Sequence, residues 1–333
     1  MMAMPPALHN YCLNKNMKYL LSILIAVGTA LSSLAQVEYP YPVKYISLAI
    51  ENKTVRMAYM DVLPQHANGQ TFILFHGKNF NGYYWKNVIP MLTAKGCRVI
   101  VPDQVGWGRS DKADLHYSFH MLAMNNKILL DSLGIKEVNV LGHSMGGMLA
   151  IRFTLMFPGN VVKLVLEDPI GLEDYKTFVP YQPLSVLFDK EKNATYESYK
   201  QYQQTYYPQW KPEYEQYVQA QAADLTAPGF GKTAWCNALT YQMIYEQPVI
   251  YEVNKITVPV LLMVGGEDRT IVGKALLSDS LKATHGQYPQ LAQAFKAQVK
   301  DCRLVILPGV GHIPHIQEPA QFEASLNDFL QQY

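Results

Sequence analysis

From residue 43 onward, short β-branched and apolar runs alternate with longer amphipathic stretches. That rhythm predicts a largely parallel sheet whose strands are joined by helices covering both faces. Apolar alternation at 43–50 and 54–62, broken by Glu51-Asn52-Lys53, predicts an opening hairpin. Strands are expected next at 71–75, 98–101, 137–141 and 162–166, with helices over about 82–95, 119–133 and 145–157 between them. The alternation stops from 172 to 254 and resumes with strands at 258–264 and 303–307 and a closing helix over about 319–330. An α/β domain carrying an insertion is the reading.

The interrupted stretch differs in kind from its flanks. It holds 12 of the chain's 23 tyrosines, is rich in glutamine from 200 to 221, and has few β-branched residues, so helices are expected throughout. Tyr196, Tyr199, Tyr202 and Tyr206 recur at spacings of three, three and four, which stripes one helix face and reads as a packing seam. Phe178, Tyr181, Phe188, Trp210, Phe230 and Trp235 are candidate walls of a pocket for a medium-sized apolar or aromatic group. The chain is therefore divided into a leader at 1–35, a core at 36–171 and 255–333, and a helical cap at 172–254.

The leader reads as an address. Lys15 and Lys18 precede an apolar run from 19 to 30 that ends in Ser33-Leu34-Ala35, small at the two positions a signal peptidase inspects. Export to the periplasm or the exterior is expected after cleavage between Ala35 and Gln36. Gln36 in place of a cysteine gives no lipid-anchor signal, and Met17 is an alternative initiator. A retained membrane anchor is the competing reading, against which the run falls short of the ~20 apolar residues that span a bilayer.

Composition narrows the partners. Hydrophobic residues make up 49% and charged residues 17% of the 333, which excludes disorder and coiled coil. The formal charge is +1, and without the leader's two lysines −1, so no field is available to hold nucleic acid or an anionic membrane. The partner expected is a small molecule recognised by shape. Outside the leader, Cys97, Cys236 and Cys302 are too scattered for a disulfide framework or a zinc site.

Chemistry concentrates at Gly142-His143-Ser144-Met145-Gly146, a G-x-S-x-G sequence between an expected strand and an expected helix. A serine in so sharp a turn is strained and needs small residues two before and two after it. Its hydroxyl also needs a base, and the base needs a carboxylate to fix its tautomer. Asp268 follows the strand at 258–264 and His312 the strand at 303–307, both at carboxyl ends, where the loops of a parallel sheet converge. Ser144, Asp268 and His312 are thus the candidate triad. Glu267 would point away from the site, and Asp168, after the strand at 162–166, is an alternative acid. His315 reads as a helix-opening or packing residue, and His76 and His143 as ties between backbone segments. Oxyanion donors are expected from the backbone N–H groups of Met145 and Lys78, with Asn79 next in line and lining the substrate site. The Lys78 ammonium reads either as a solvated rim group or as a ligand for an anionic substrate. No histidine spacing suits a metal, and neither metal nor cofactor is expected.

Taken in order, His76-Gly77, the run from Asp103 to Ser110, the elbow from Gly142 to Gly146, Gly266-Glu267-Asp268 and Gly311-His312 resemble the α/β-hydrolase superfamily from about 43 to 329. The resemblance implies an eight-stranded sheet with a helical cap inserted after the sixth strand, and the same triad. It also implies that Asp103 serves a structural turn, and that Cys97 and Cys302, before widely separated strands, do not pair. Ser144 departs from the carboxylate nucleophile of epoxide hydrolases and haloalkane dehalogenases. The loop after the third strand lacks the glycines usual in proline iminopeptidases and carbon–carbon bond hydrolases. A serine esterase acting on a carboxylic ester is the expected activity. Amide or carbon–carbon cleavage, acyl transfer on the same triad, and a non-catalytic ligand-binding homologue are the alternatives.

Overall fold

The computed structural model describes residues 37–332, and the leader and its cleavage point lie outside them. Strands β1 (Val43–Ile50) and β2 (Lys53–Val62) pair antiparallel across Glu51 and Asn52. Both turn residues have positive φ, 47° and 62°, the left-handed pair whose twist matches that of the flanking strands. Six more strands follow: β3 (Thr71–Phe75), β4 (Arg98–Pro102), β5 (Val138–His143), β6 (Val161–Glu167), β7 (Val260–Gly265) and β8 (Cys302–Leu307). The sheet order is β1-β2-β4-β3-β5-β6-β7-β8, parallel from β4 through β8.

Side-chain alternation divides the core into two layers. Ile73 and Phe75 face one layer with α2 (Phe119–Ser132) and α3 (Met145–Met156). Phe72 and Leu74 face the other with α1 (Val88–Ala94) and a C-terminal helix, Pro319–Gln332. Because both faces are covered, β5 and β7 are buried at every position, which explains their nearly unbroken apolar sequence.

Between β6 and β7 the chain is helical: α4 (Leu184–Lys192), α5 (Tyr196–Gln204), α6 (Glu215–Ala222) and α7 (Phe230–Glu246). Thr195 and Ser198 close a reciprocal capping box at the start of α5. Two details differ from the sequence expectation. Residues 82–95 are split into a 3-10 turn, Gly82–Asn87, and the shorter α1, with the Asn81 side chain capping the turn. Helices α8 (Asp279–Thr284) and α9 (Tyr288–Gln298) were not anticipated, although Tyr288, Ala292 and Phe295 of α9 pack on the sheet at helical spacing. Cys97, Cys236 and Cys302 are free thiols, and four strands separate β4 from β8. Among the described residues no helix is long and apolar enough to cross a membrane.

Candidate active site

Ser144 sits between β5 and α3 with φ 57° and ψ −121°, a backbone conformation that costs energy in any residue with a side chain. Its flanking glycines make the turn possible. A Cβ on Gly142 would stand 2.2 Å from the Gly146 carbonyl oxygen, and one on Gly146 would stand 2.1 Å from that of Phe75. The serine hydroxyl is thereby lifted beyond the sheet edge at the start of α3, where the helix dipole favours negative charge.

The loops after β7 and β8 bring the partners. His312 Nε2 lies 3.0 Å from Ser144 Oγ, and His312 Nδ1 lies 2.7 Å from Asp268 Oδ2. Asp268 Oδ1 accepts the Thr270 N–H at 2.9 Å. Burial alone would raise the Asp268 carboxyl, but the His312 imidazole and the hydrogen bonds it receives hold it below the usual range. Asp268 is therefore an anion that fixes the proton on Nδ1 and leaves Nε2 free to accept from the serine. Glu267 is exposed, whereas Asp168 is buried beside Asp268 and accepts the Gly265 N–H at 2.9 Å.

A second set of bonds joins the three loops. The Gly77 N–H donates to Tyr84 Oη at 2.9 Å, and the Tyr84 hydroxyl meets His143 Nδ1 at 3.1 Å. His143 Nε2 reaches the His312 carbonyl oxygen at 2.7 Å. A carbonyl only accepts, so Nε2 carries the proton, Nδ1 accepts, and every group in the relay is satisfied. Burial, reinforced by His312 and His315, keeps His143 far below the ordinary imidazole range and hence neutral. Burial similarly lowers His76, whose Nε2 accepts the Gln104 N–H and whose Nδ1 bonds the Gly77 carbonyl. His315, at the start of a short helix, is tied to buried Glu167 at 2.9 Å and stacks on Trp85.

The loop after β3 presses against the nucleophile. A Cβ on Gly77 would stand 3.1 Å from that of Ser144, so the Lys78 amide follows immediately beyond the closest approach. Trp107 Nε1 donates to the Lys78 carbonyl at 2.6 Å and anchors the loop. Met145 is buried as the first residue of α3.

Several expectations change here. The Lys78 ammonium is no solvated rim group: its side chain is 14% exposed and lies 3.5 Å from Glu191 of α4. Tyr206, read as part of a packing seam, lies just past α5 with its ring 4.9 Å from that of His312. Its backbone carbonyl accepts the His312 N–H at 2.8 Å, and its hydroxyl accepts from Asn79 Nδ2 at 2.8 Å. Tyr202 of the same stripe is exposed.

A cleft between the oxyanion loop and the helical insertion is lined by Lys78, Asn79, Lys112, Tyr199, Gln221 and Asp224, among others. Of the candidate pocket residues only Asn79 lines it. Phe178 stacks on His285, Phe188 packs edge-on to Trp235, and Trp210 packs on Tyr207. Tyr181 is exposed, and Phe230 opens α7. The rings of Phe178, Phe188, Trp210 and Trp235 thus pack on other rings, which buries large aromatic surface without a ligand. No sequence signal marked Tyr84 or Tyr206, whose partners lie 59 and 127 residues away.

Known proteins share this fold. A solved structure of a probable hydrolytic enzyme from Pseudomonas aeruginosa PAO1 is 42% identical and superposes with a TM-score of 0.86, covering 88% of this chain and 95% of that one. A 2-hydroxy-6-oxononadienedioate/2-hydroxy-6-oxononatrienedioate hydrolase from Paraburkholderia phymatum is 28% identical over 240 residues, 68% of this chain and 80% of that protein. A haloalkane dehalogenase from Mycobacterium marinum is 28% identical over 163 residues, 44% of this chain and 54% of that protein. The model of the alpha/beta hydrolase fold family matches residues 70–319, and with the sheet order above the chain belongs to that family.

Proposed function

We propose that the protein is a serine hydrolase that cleaves a carboxylic ester through an acyl-enzyme on Ser144. The observation that carries this reading is the continuous line of contacts from Ser144 Oγ through His312 to Asp268, 3.0 and 2.7 Å long. His312 Nε2 takes the serine proton as Oγ adds to the ester carbonyl. Backbone N–H groups of Lys78 and Met145 receive the oxyanion, and the imidazolium returns the proton to the departing alcohol. A water deprotonated by the same imidazole then adds to the acyl carbon, and collapse frees the acid and Ser144.

The similarity to the haloalkane dehalogenase does not carry its chemistry here, because displacement of halide in this fold needs a carboxylate where this chain has Ser144. Similarity to the Paraburkholderia hydrolase supports a second reading, carbon–carbon bond hydrolysis on the same triad.

The test is hydrolysis of p-nitrophenyl esters of graded acyl length, alongside a vinylogous diketone substrate, with Ser144→Ala as the control. Loss of at least about a thousandfold in kcat on that substitution is expected. A Ser144→Ala protein as active as the wild type overturns the mechanism, and turnover of the diketone alone selects the second reading. Failure of the folded wild type to react with a fluorophosphonate would leave a ligand-binding role. For the leader, export is supported by Lys15, Lys18 and the apolar run, and a mature chain beginning at Gln36 is expected on N-terminal sequencing.

A further inference from the structure

Asp168 is an acidic group beside the triad that the mechanism above does not use. It follows β6 directly, is fully buried, and has φ 37°, an uncommon conformation for a residue other than glycine. Ligating atoms of Asp168, Asp268 and His312 all lie within 4.8 Å of one another. Both Asp168 oxygens face the Gly265 N–H, at 2.9 and 3.1 Å, where the β6–β7 ladder has ended. The charged and titratable groups around it are Asp268 after β7, His312 after β8, Glu167 at the end of β6 and Tyr288 on α9. Glu167 is already engaged by His315. Among the described residues His312 is the one basic side chain within that cluster, and Asp268 holds it, while the Lys274 ammonium also acts on Asp268.

We infer that Asp168 is a positioning residue, a neutral carboxylic acid that accepts from Gly265 and donates its proton in a hydrogen bond to Asp268, aiming that carboxylate at His312. A carboxylic acid offers one acceptor oxygen and one O–H, which matches the two neighbours it has. Two ionised carboxylates this close and this deeply buried would repel strongly, and one of them keeps its proton. Burial and the adjacent Asp268 push Asp168 well above the ordinary carboxyl range, while the bond from Asp168 helps hold Asp268 below it. The donated bond also makes Asp268 a weaker base, so the proton on His312 Nδ1 stays with the ring. This inference rests on the serine-hydrolase reading for its activity readout, but the protonation state does not.

A divalent cation could neutralise the same pair, but the 2.7 Å Asp268–His312 contact leaves no room for one between them. The experiment compares wild type, Asp168→Asn and Asp168→Ala by pH–rate profile with a p-nitrophenyl ester, by melting temperature from pH 4 to 9, and by activity after dialysis against EDTA. An asparagine amide both accepts from Gly265 and donates to Asp268, so Asp168→Asn should keep kcat within about threefold and leave the acid limb of the profile unmoved, while Asp168→Ala loses about a hundredfold.

Asp168 ionises above about pH 4 in the unfolded chain but keeps its proton when folded, so stability falls as pH rises from there toward the folded value. Asp168→Asn lacks that proton, and its melting temperature should gain on the wild type with rising pH. EDTA should change nothing. An acid limb that moves to lower pH in Asp168→Asn shows that Asp168 was charged and overturns the inference, as does a melting difference independent of pH. Loss of activity to EDTA with recovery on adding a divalent ion overturns it in favour of a metal. Should every folded variant be inactive on all esters, the hydrolase reading fails while the melting comparison still decides the state of Asp168.

Discussion

At the scale of single residues, the Ser144–His312–Asp268 contacts are braced by side chains outside the line of three. Tyr84 is buried and receives the Gly77 N–H while its own hydroxyl meets His143. Burial and the nearby Glu167 keep that hydroxyl protonated, so it remains a donor. Tyr84→Phe removes one acceptor and one donor together and frees the amide that precedes Lys78. A fall in kcat of about tenfold with little change in KM is expected, since a lost oxyanion donor itself costs more. Stability should drop by about 1–3 kcal/mol, measurable by urea denaturation, because a buried N–H and a ring nitrogen lose partners. An unchanged kcat would show that the relay does not govern the oxyanion loop. Ser144, Asp268 and His312 were legible because each follows the carboxyl end of an apolar run and stands within two residues of a glycine. Tyr84 and Tyr206 were not, because a hydrogen bond across 59 or 127 positions leaves no local pattern.

At the scale of elements, close approach rather than propensity decides which sequences fit. Gly146 lies in the first turn of α3, where alanine would be the better helix former. A Cβ there would nonetheless meet the carbonyl oxygens of Phe75 at 2.1 Å and His76 at 2.8 Å, both backbone atoms on the strand and loop that carry the oxyanion donors. Gly146→Ala should therefore either leave the chain insoluble or cost about 3 kcal/mol or more, against the fraction of a kcal/mol gained from propensity. A melting temperature equal to that of the wild type would contradict this packing. Apolar patterning located all eight strands and the helices α2, α3 and Pro319–Gln332 to within a few residues, because the layers on either side of the sheet impose burial at fixed spacing, whereas the insertion was read as helical without individual bounds. Helices α8 and α9 escaped because the buried positions of α9 are Tyr288, Ala292 and Phe295, and neither tyrosine nor alanine marks a buried face strongly. The split of residues 82–95 escaped because Asn81 caps a 3-10 turn before Val88 begins α1.

At the scale of the whole molecule, no disulfide among the described residues ties the helical insertion to the core. Lys78 reaches Glu191 and Lys112 reaches Asp224, at 3.5 and 3.6 Å, long contacts of the kind that contribute little each. The stronger tie is the Tyr206 carbonyl on the His312 N–H, which places part of the insertion directly on the triad. The position of the insertion after β6 was readable from the loss of alternation, but which of its aromatic rings meet each other was not, since composition carries no orientation. Stability must then come from the two apolar layers. Cys97 precedes β4 and Cys302 begins β8, with four strands between, and Cys236 lies on α7. Burial raises all three thiols, Cys302 to about 12, so thiolate is scarce at neutral pH and exchange is slow. If the chain is exported, it reaches an oxidising compartment with no crosslink to gain among these three. The melting temperature should be the same with and without dithiothreitol, and these three thiols should react with Ellman's reagent only after denaturation. A drop on reduction, where removal of a native disulfide costs about 2–5 kcal/mol, would show that the strand order separating Cys97 from Cys302 is wrong.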